Sequence, residues 1–387
     1  MSRSITELRK FVSPEIVFGV GSRHRAGHFV STFGATKVLI VSDLGVQEAG
    51  WVADIEVSLQ EQGIEYHVFT EVSPNPRVEE VMQGAHTYQL HGCTAIVAIG
   101  GGSPMDCAKA IGIVVAHGRS ILDFEGVDTI RLPSPPLVLI PTTAGTSADV
   151  SQFVIISNPQ ERMKFSIVSK AVVPDVALID PETTVTMDSF LAACTGIDAL
   201  VHAIEAFVSV GSGPLTDTHA LEAMRLISGN LVDMIKNPQD IALREQIMLG
   251  SMQAGLAFSN AILGAVHAMS HSLGGYLDLP HGQCNAALIE HVVAFNYNSA
   301  PERFKVIAQT LGIDCRGLTS AQVQVRLVNH LIDFKCAVGF HSSLGEYGVS
   351  SSDIPFLSRH AMTDPCILTN PRSSNQRDME VVYAEAL

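Results

Sequence analysis

The hydrophobic and polar positions of this 387-residue chain follow two different patterns. Before about residue 185, short continuous apolar runs alternate with segments of helical period. Such runs are typical of strands that are buried on both faces of a parallel sheet. Their alternation with helices predicts a doubly wound α/β layer. The predicted strands are residues 37–42, 94–100, 136–141, 153–157 and 176–180, and the predicted helices between the first two strands are residues 51–63 and 78–92.

The second pattern begins after about residue 185, where strand-like runs nearly disappear. Long segments rich in Ala, Leu and Met repeat with the helical period, and they predict helices over residues 189–209, 217–235 and 242–260. Pro181 and the threonines after it interrupt the periodicity, which indicates a boundary. We therefore expect two domains, an α/β domain over residues 1–184 and an all-helical domain over residues 185–387.

Charge and composition limit the classes of partner. The formal net charge of -15 would repel nucleic-acid phosphates and anionic membrane surfaces. No uninterrupted run of 18 or more apolar residues is present, so no membrane-spanning helix is expected, and the N-terminal sequence lacks the apolar segment of a secretory signal. Seven scattered cysteines without a C-x-x-C pair are typical of a reducing compartment. We expect a cytoplasmic protein without a nucleic-acid or membrane partner.

Two histidine-containing helical segments carry the strongest chemical signal. Asp198 and His202 are four residues apart, as are His267 and His271, and His281 follows. Residues four apart lie on one face of a helix, so each pair directs two ligand atoms at one point. An ionised Asp198 in an apolar helix would be costly without a cation. One carboxylate with imidazoles suits a divalent first-row transition metal. Spacing leaves open which of the three later histidines bind it directly.

Two loops at the ends of predicted strands suit a phosphate-bearing ligand. Gly100, Gly101 and Gly102 open a predicted helix that Ser103 can cap, and free N–H groups at a helix start bind pyrophosphate. The spacing is not G-x-G-x-x-G, so a plain strand-to-helix turn explains it equally well. Residues 141–150, rich in Thr and Ser, form a second such loop, with an ordinary polar loop as the alternative. Open α/β sheets bind ligands at this edge.

Asp43 ends the predicted strand of residues 37–42. A carboxylate there can accept hydrogen bonds from the ribose hydroxyls of NAD and would repel the 2′-phosphate of NADP. The alternative is a helix N-cap, which Asp supplies routinely. The sequence thus favours NAD if the loops bind a dinucleotide.

The chain resembles the iron-containing (group III) alcohol dehydrogenases and is similar to their bacterial ethanol- and propanediol-type members. The likeness covers nearly the whole length and is carried by seven motifs in order. They are SPNP (73–76), GGGSPMDCAKA (100–110), PTTAGTS (141–147), TGIDALVHAIEAF (195–207), GAVHAMSHSLGG (264–275), LPHGQCNA (279–286) and DPCILTNPR (364–372).

The resemblance implies a Rossmann-like dinucleotide-binding domain, a helical metal-binding domain and an active site in the cleft between them. The implied metal ligands are Asp198, His202, His267 and His281, and His271 becomes a proton relay. The implied cofactor contacts are Asp43, Asn75, Gly101, Gly102, Ser103, Asp106, Thr142, Thr143 and Lys164.

The implied activity is hydride transfer between NAD(H) and small primary alcohols or diols, which interconverts them with aldehydes. Fe(II) is the implied metal, and Zn(II) is the alternative that the same donors would hold. The alternative function is that of a Zn-dependent polyol (glycerol-type) dehydrogenase of the same superfamily. Those enzymes lack the third metal histidine, so the presence of both His267 and His281 favours the alcohol dehydrogenase. The resemblance also implies a homodimer or a larger homo-oligomer.

Overall fold

Residues 10–161 and 163–387 are described by a computed structural model, in which the chain divides at Met187. The first unit comprises residues 12–187. The second comprises residues 188–387 together with the described residues Lys10 and Phe11. The ring of Phe11 stacks on that of His219 with 5.5 Å between the centroids.

The described residues of the first unit form nine strands in two sheets. The strands are β1 (Glu15–Phe18), β2 (Lys37–Val41), β3 (Glu65–Phe69), β4 (Ala95–Gly100), β5 (Gly126–Val127), β6 (Leu137–Pro141), β7 (Phe153–Asn158), β8 (Met163–Val168) and β9 (Val176–Ile179). Six of them form a parallel sheet in the order β1-β9-β6-β4-β2-β3. The other three form a smaller sheet in the order β5-β8-β7.

Helices cover both faces of the six-stranded sheet. They are α1 (Ala26–Thr32), α2 (Leu44–Glu48), α3 (Trp51–Glu61), α4 (Val78–Leu90) and α5 (Gly102–His117). Successive residues of β2 point to opposite faces: Leu39 and Val41 join the core packed by α4 and α5, whereas Val38 and Ile40 join the core packed by α1 and α3. The predicted doubly wound α/β layer is therefore present.

One predicted strand belongs to a different sheet from the one expected. Residues 153–157 were expected in the parallel layer, but β7 pairs antiparallel with β8 in the three-stranded sheet. Val154 and Ile156 are fully buried while Ile155 is only partly buried, so one face of the strand carries most of the burial. A short apolar run does not by itself distinguish this strand from a central parallel one.

The strands that the pattern missed include both edges of the larger sheet, β1 and β3. Most of their residues are partly exposed, so they lack the continuous apolar run that marks the central strands. Edge strands are less apolar because one side of them has no neighbouring strand.

Residues 188–387, all of which the structure describes, form helices and no strand. The helices are α6 (Ser189–Val208), α7 (Pro214–Lys236), α8 (Ile241–Ala261), α9 (Ala265–Leu277), α10 (His281–Asn296), α11 (Pro301–Thr310), α12 (Ser320–Ala337), α13 (Ile354–Ala361) and α14 (Gln376–Glu385). Helices α6, α7 and α8 pack on one another, and α10 packs on α6, α9 and α12. This arrangement brings α6, α9 and α10 together.

Helix α6 is long and apolar enough to cross a membrane by length and composition alone. Its most apolar stretch of 18 residues has a mean hydropathy of 1.6, but 94% of that stretch is buried inside the protein. Among the described residues, α8 and α9 are long and apolar enough only when they are taken together, and the two helices meet at a bend of 101°. The search for uninterrupted apolar runs in the sequence did not find α6, because Asp198, His202 and Glu205 interrupt its apolar residues. Its burial makes α6 a core helix of the second unit.

Candidate metal centre and nucleotide-binding loops

Three ionisable side chains lie along one face of α6. Asp198, His202 and Glu205 follow one another at intervals of four and three residues, which stacks them on successive turns. Their exposures are 2%, 4% and 4%. Asp188 caps the helix by accepting a hydrogen bond from the Leu191 N–H at 2.8 Å. A core helix thus carries a row of chemically active groups into the interior of the second unit.

The imidazoles of three histidines converge on Asp198. Its Oδ1 atom lies 3.7 Å from Nε2 of His202, 3.5 Å from Nε2 of His267 and 3.6 Å from Nε2 of His281. His267 comes from α9, and His281 is the first residue of α10. The ligand atoms of Asp198, His267 and His281 all lie within 4.8 Å of one another, and the His202 ring stacks on that of His267 at 4.4 Å. Three elements therefore deliver three nitrogens and one oxygen to one point.

The charges in this cluster favour a cation. Burial alone would raise the pKa of the Asp198 carboxyl. The imidazoles of His202, His281 and His267 have a larger opposite effect, so the pKa falls well below its usual range. Burial lowers the pKa of His267, but Asp198 and Glu205 more than offset this effect and raise it to about 9. Without a metal, the two carboxylates thus favour the protonated imidazole of His267. A divalent cation would take the place of that proton, because ligand nitrogens must be deprotonated.

The residues fit a transition metal by their donor chemistry, and Asn285 adds a second argument. Its Nδ2 donates to Asp198 Oδ1 at 2.7 Å and lies 3.5 Å from Nε2 of His267. Its Oδ1 is buried and accepts no hydrogen bond from the described residues. A buried acceptor without a donor is rare and marks a place for a water or ion-bound group. The cluster and this amide together form a polar site in an apolar helical core.

His271 lies beside this cluster, one helical turn after His267. Its Nδ1 is 2.7 Å from Oδ2 of Asp364, and its ring stacks on that of His281 with centroids 5.0 Å apart. Burial raises the pKa of Asp364, but the His271 imidazole lowers it to about 2. Because an ionised carboxylate only accepts, Nδ1 carries the proton and Nε2 is the nitrogen left for exchange. Asp364 and Cys366 form with His271 a second group whose ligand atoms lie close together.

Two loops of the first unit touch at the ends of β4 and β6. They are the glycine loop (residues 100–102) and the threonine loop (residues 141–150). The Thr142 N–H donates to the Gly100 carbonyl at 2.8 Å. A Cβ on Gly101 would lie 3.2 Å from Cγ2 of Thr143, and one on Gly102 would lie 2.9 Å from Cγ2 of Thr146. Thr143 Oγ1 is buried and has no partner among the described residues. The loops thus form a cradle that side chains on the glycines would fill.

Asn75, Ser103 and Lys164 are joined by hydrogen bonds beside this cradle. Ser103 Oγ accepts from the Asn75 N–H at 3.2 Å, and Lys164 Nζ donates to Asn75 Oδ1 at 2.8 Å. The expectation that Ser103 caps α5 is wrong, since Gly101 is the N-cap and no side chain caps the helix. Ser103 is the second residue of α5, and its hydroxyl accepts from Asn75 instead.

Asp106 faces β7, and its carboxylate is under the electrostatic influence of a buried lysine on the same helix. Its Oδ2 accepts from the Ile155 N–H at 3.2 Å. Lys109, one turn later on α5 and 1% exposed, donates to the carbonyls of Ser151 at 2.9 Å and Phe153 at 3.0 Å. Burial raises the pKa of Asp106 and lowers that of Lys109, and each charge offsets part of this effect on the other. Lys109 therefore ties α5 to the segment that leads into β7.

Asp43 occupies the cap position that the sequence offered as the alternative reading. It is the N-cap of α2, and its Oδ1 accepts from the Val46 N–H at 2.9 Å. Ser42, the residue before it, donates its hydroxyl to the Ile99 carbonyl on β4 at 2.7 Å. Asp43 thus stands at the carboxyl edge of the parallel sheet, near the end of the strand that carries the glycine loop.

Comparison with known families identifies this fold. A model described as "Iron-containing alcohol dehydrogenase" matches residues 13–181, and one described as "Fe-containing alcohol dehydrogenase family, C-terminal" matches residues 192–387. The chain belongs to the iron-containing alcohol dehydrogenase family. The resemblance inferred from the seven motifs is confirmed, as is the α/β plus all-helical fold class.

Individual members of the iron-containing alcohol dehydrogenase family match over nearly their full length. The chain is 37% identical to the NAD-dependent methanol dehydrogenase of Bacillus methanolicus over 97% of this chain and 99% of that protein. It is 35% identical to the 1,3-propanediol dehydrogenase of Klebsiella pneumoniae over 97% of this chain and 96% of that protein. Its fold matches the crystal structure of a 1,3-propanediol oxidoreductase with a TM-score of 0.96 and 35% identity, over 98% of this chain and 100% of that one.

Two polar residues of the candidate metal centre were missed by the sequence reasoning. Glu205 accepts from Nδ1 of His267 at 2.7 Å, and Asn285 donates to Asp198. Each stands one helical turn from a candidate ligand, Glu205 after His202 and Asn285 after His281. The same spacing rule that selected the histidines would have found both, had it been applied to every polar residue in these helices.

Proposed function

We propose that this family member is an NAD(H)-dependent alcohol dehydrogenase that interconverts small primary alcohols or diols with aldehydes. The observation that carries the proposal is the convergence of three imidazole nitrogens on Asp198 Oδ1, at 3.5 to 3.7 Å. The activities named for the relatives support the reaction class, since both act on small primary alcohols or diols by their names.

Asp198, His202, His267 and His281 would hold the metal in this proposal. Family membership favours Fe(II), while Zn(II) suits the same three nitrogens and one oxygen. When bound, the metal would supply Lewis acidity and the nicotinamide would accept or return the hydride. The protein's own groups keep the ligand set charged and oriented: Asn285 donates to Asp198, and Glu205 accepts from His267.

The cradle of the first unit is proposed to bind NAD. The orphan hydroxyl of Thr143 and the glycine backbone at Gly101 and Gly102 provide polar groups with little bulk, which suits phosphates and ribose. The remaining proposed contacts are Asp43, Asn75, Ser103, Asp106, Thr142 and Lys164. Asp43 caps α2 through Oδ1, and a capping carboxylate still has a second oxygen for ribose hydroxyls. Its negative charge favours NAD over NADP.

His271 is proposed to move the alcohol proton. Asp364 fixes the Nδ1–H tautomer, so Nε2 is free to accept a proton and pass it outward. Its side chain is 13% exposed, more than the 1% of His267, and this opening gives the proton a route to solvent. The proposal also includes a homo-oligomer in the cytoplasm, and the seven free cysteines support the reducing compartment.

The test is an anaerobic assay on metal-stripped protein reloaded with Fe(II) or Zn(II). We expect NADH formation from short primary alcohols or diols after reloading, a slower reaction with NADP, and NADH consumption with the matching aldehydes. Rapid turnover of glycerol with Zn(II) and none with primary alcohols would replace the proposal with the polyol dehydrogenase. Metal and NAD binding without any such redox activity would contradict both.

A further inference from the structure

Glu205 is a buried carboxylate outside the proposed ligand set, and every hydrogen bond to its side chain comes from an N–H group. Its Oε2 accepts from the backbone of Gly264 at 3.1 Å and of His267 at 3.3 Å, and its Oε1 accepts from Val266 at 2.6 Å. The fourth donor is the imidazole Nδ1 of His267 at 2.7 Å. Both oxygens therefore serve as acceptors at once.

Three of these donors are the free N–H groups at the start of α9. Gly264 is the N-cap and has no side chain to satisfy them, so Glu205 reaches across from α6 and does so. A negative charge is also favourable at a helix N-terminus. The approach is close: a Cβ on Gly264 would lie 2.9 Å from Glu205 Oε1. Glu205 thereby fixes the start of α9 relative to α6, which carries Asp198 and His202.

The fourth donor links this helix contact to the metal cluster. Because Nδ1 of His267 donates to a carboxylate, its Nε2 is the nitrogen that holds a lone pair when the ring is neutral. That atom lies 3.5 Å from Asp198 Oδ1, at the centre of the cluster. Carboxylates in this position orient a ligand histidine and raise its basicity toward a metal.

We propose that Glu205 is a positioning residue that selects the tautomer and the place of His267 for metal binding. The proposal rests on the proposed function only in that His267 binds the metal. A glutamine cannot take the same role, because its NH2 group would face an N–H donor on one side or the other. Glu205 therefore makes metal affinity depend on the docking of α9 against α6.

The test is the affinity and spectrum of Co(II) in metal-stripped protein. Chelator competition should show that Glu205→Gln binds Co(II) about 10- to 100-fold more weakly than wild type, and the ligand-field spectrum should change because the imidazole is reoriented. The matched control is Asn370→Ala. Asn370 Oδ1 accepts from the Ala265 N–H at 3.1 Å, at the same helix start, but its hydrogen bonds do not include the His267 ring. Its Co(II) spectrum should equal that of wild type.

A second variant serves if Glu205→Gln does not fold. Gly264→Ala keeps the carboxylate, but its Cβ would lie 2.9 Å from both Glu205 Oε1 and Asn370 Oδ1, so it should also weaken Co(II) binding and alter the spectrum. Asn370→Ala separates the two contacts, because it removes only the second. If Glu205→Gln folds and shows wild-type affinity and an unchanged spectrum, the role of Glu205 is overturned while the metal site stands. If only Gly264→Ala folds, the same result in that variant has the same meaning. Equal losses and spectral changes in Asn370→Ala would also overturn the role of Glu205. A wild-type protein that binds no Co(II) would overturn the proposed function itself, and this proposal with it.

Discussion

Gly282, the residue after the candidate ligand His281, is a position where an added methyl group would not fit. It follows His281 in the first turn of α10, and an added Cβ would lie 2.0 Å from the carbonyl oxygen of Cys194 on α6 and 2.5 Å from its carbonyl carbon. Non-bonded carbon atoms settle at about 3.5–4.0 Å. Both contacts are with backbone, so no rotamer change relieves them, and α10 must move by roughly 1 Å or more.

The expected result of Gly282→Ala is a loss of both stability and metal. Overpacking typically costs about 1–3 kcal/mol of unfolding free energy, and a backbone clash places this variant at the upper end. Metal sites tolerate ligand displacements of only about 0.2 Å, so His281 would leave its position. Urea unfolding measures the first effect, and bound metal per chain after reloading measures the second.

Two further glycines provide matched controls. In Gly27→Ala the new Cβ would lie 2.0 Å from the Ser58 carbonyl oxygen, which is the same clash within the first unit. In Gly229→Ala it would meet nothing within 4 Å in the middle of α7, so a gain of about 0.5–1 kcal/mol is expected. Only Gly282→Ala should lose metal. If it loads metal as wild type does, or if Gly27→Ala loses metal equally, the reasoning about α10 is wrong.

Three further predictions concern other parts of the chain. His271→Ala should lower kcat and keep its metal; a metal-free variant would show that His271 is a ligand rather than a relay. Lys109→Met should lower the unfolding free energy by about 1–3 kcal/mol because the buried carbonyls of Ser151 and Phe153 lose their hydrogen-bond donor. The control is Lys37→Met, at a partly exposed lysine, which should change the unfolding free energy by at most about 1 kcal/mol. Equal losses in the two variants would show that the burial of Lys109 does not matter. A thiol reagent near neutral pH should label Cys336, the one cysteine that is not buried, faster than the rest. Burial raises the pKa of Cys93 to about 11, so its reactive thiolate forms only as the pH rises toward that value; rapid labelling of Cys93 at neutral pH would contradict this.

Sequence periodicity predicted the central strands because they are buried on both faces, and it failed where burial is one-sided. The runs that became β2, β4, β6 and β9 are continuous and apolar. The edge strands β1 and β3 are not, and β7 is apolar but belongs to another sheet. Which sheet a strand joins depends on contacts between segments far apart in the chain, and no local pattern encodes them.

The candidate metal site shows the same division between local and distant information. Spacing of four residues placed Asp198 with His202 on one helix face, which the structure confirms. It could not bring His267 and His281 to the same oxygen, because that depends on the packing of α9 and α10 against α6. Glu205 was overlooked although it lies on the same face, because a carboxylate that receives only N–H donors becomes apparent only once those donors are in place.

The most direct measurement is an anaerobic titration of metal-stripped protein with Fe(II), in which bound metal and the rate of NADH formation from a short primary alcohol are recorded together. The account predicts no rate without metal, a rate that rises in proportion to bound Fe(II) until each chain holds a single ion, and no activation of Asp198→Asn over the same range. Full activity in the stripped protein, or activation of Asp198→Asn equal to that of wild type, would contradict the claim that this cluster is the catalytic metal centre.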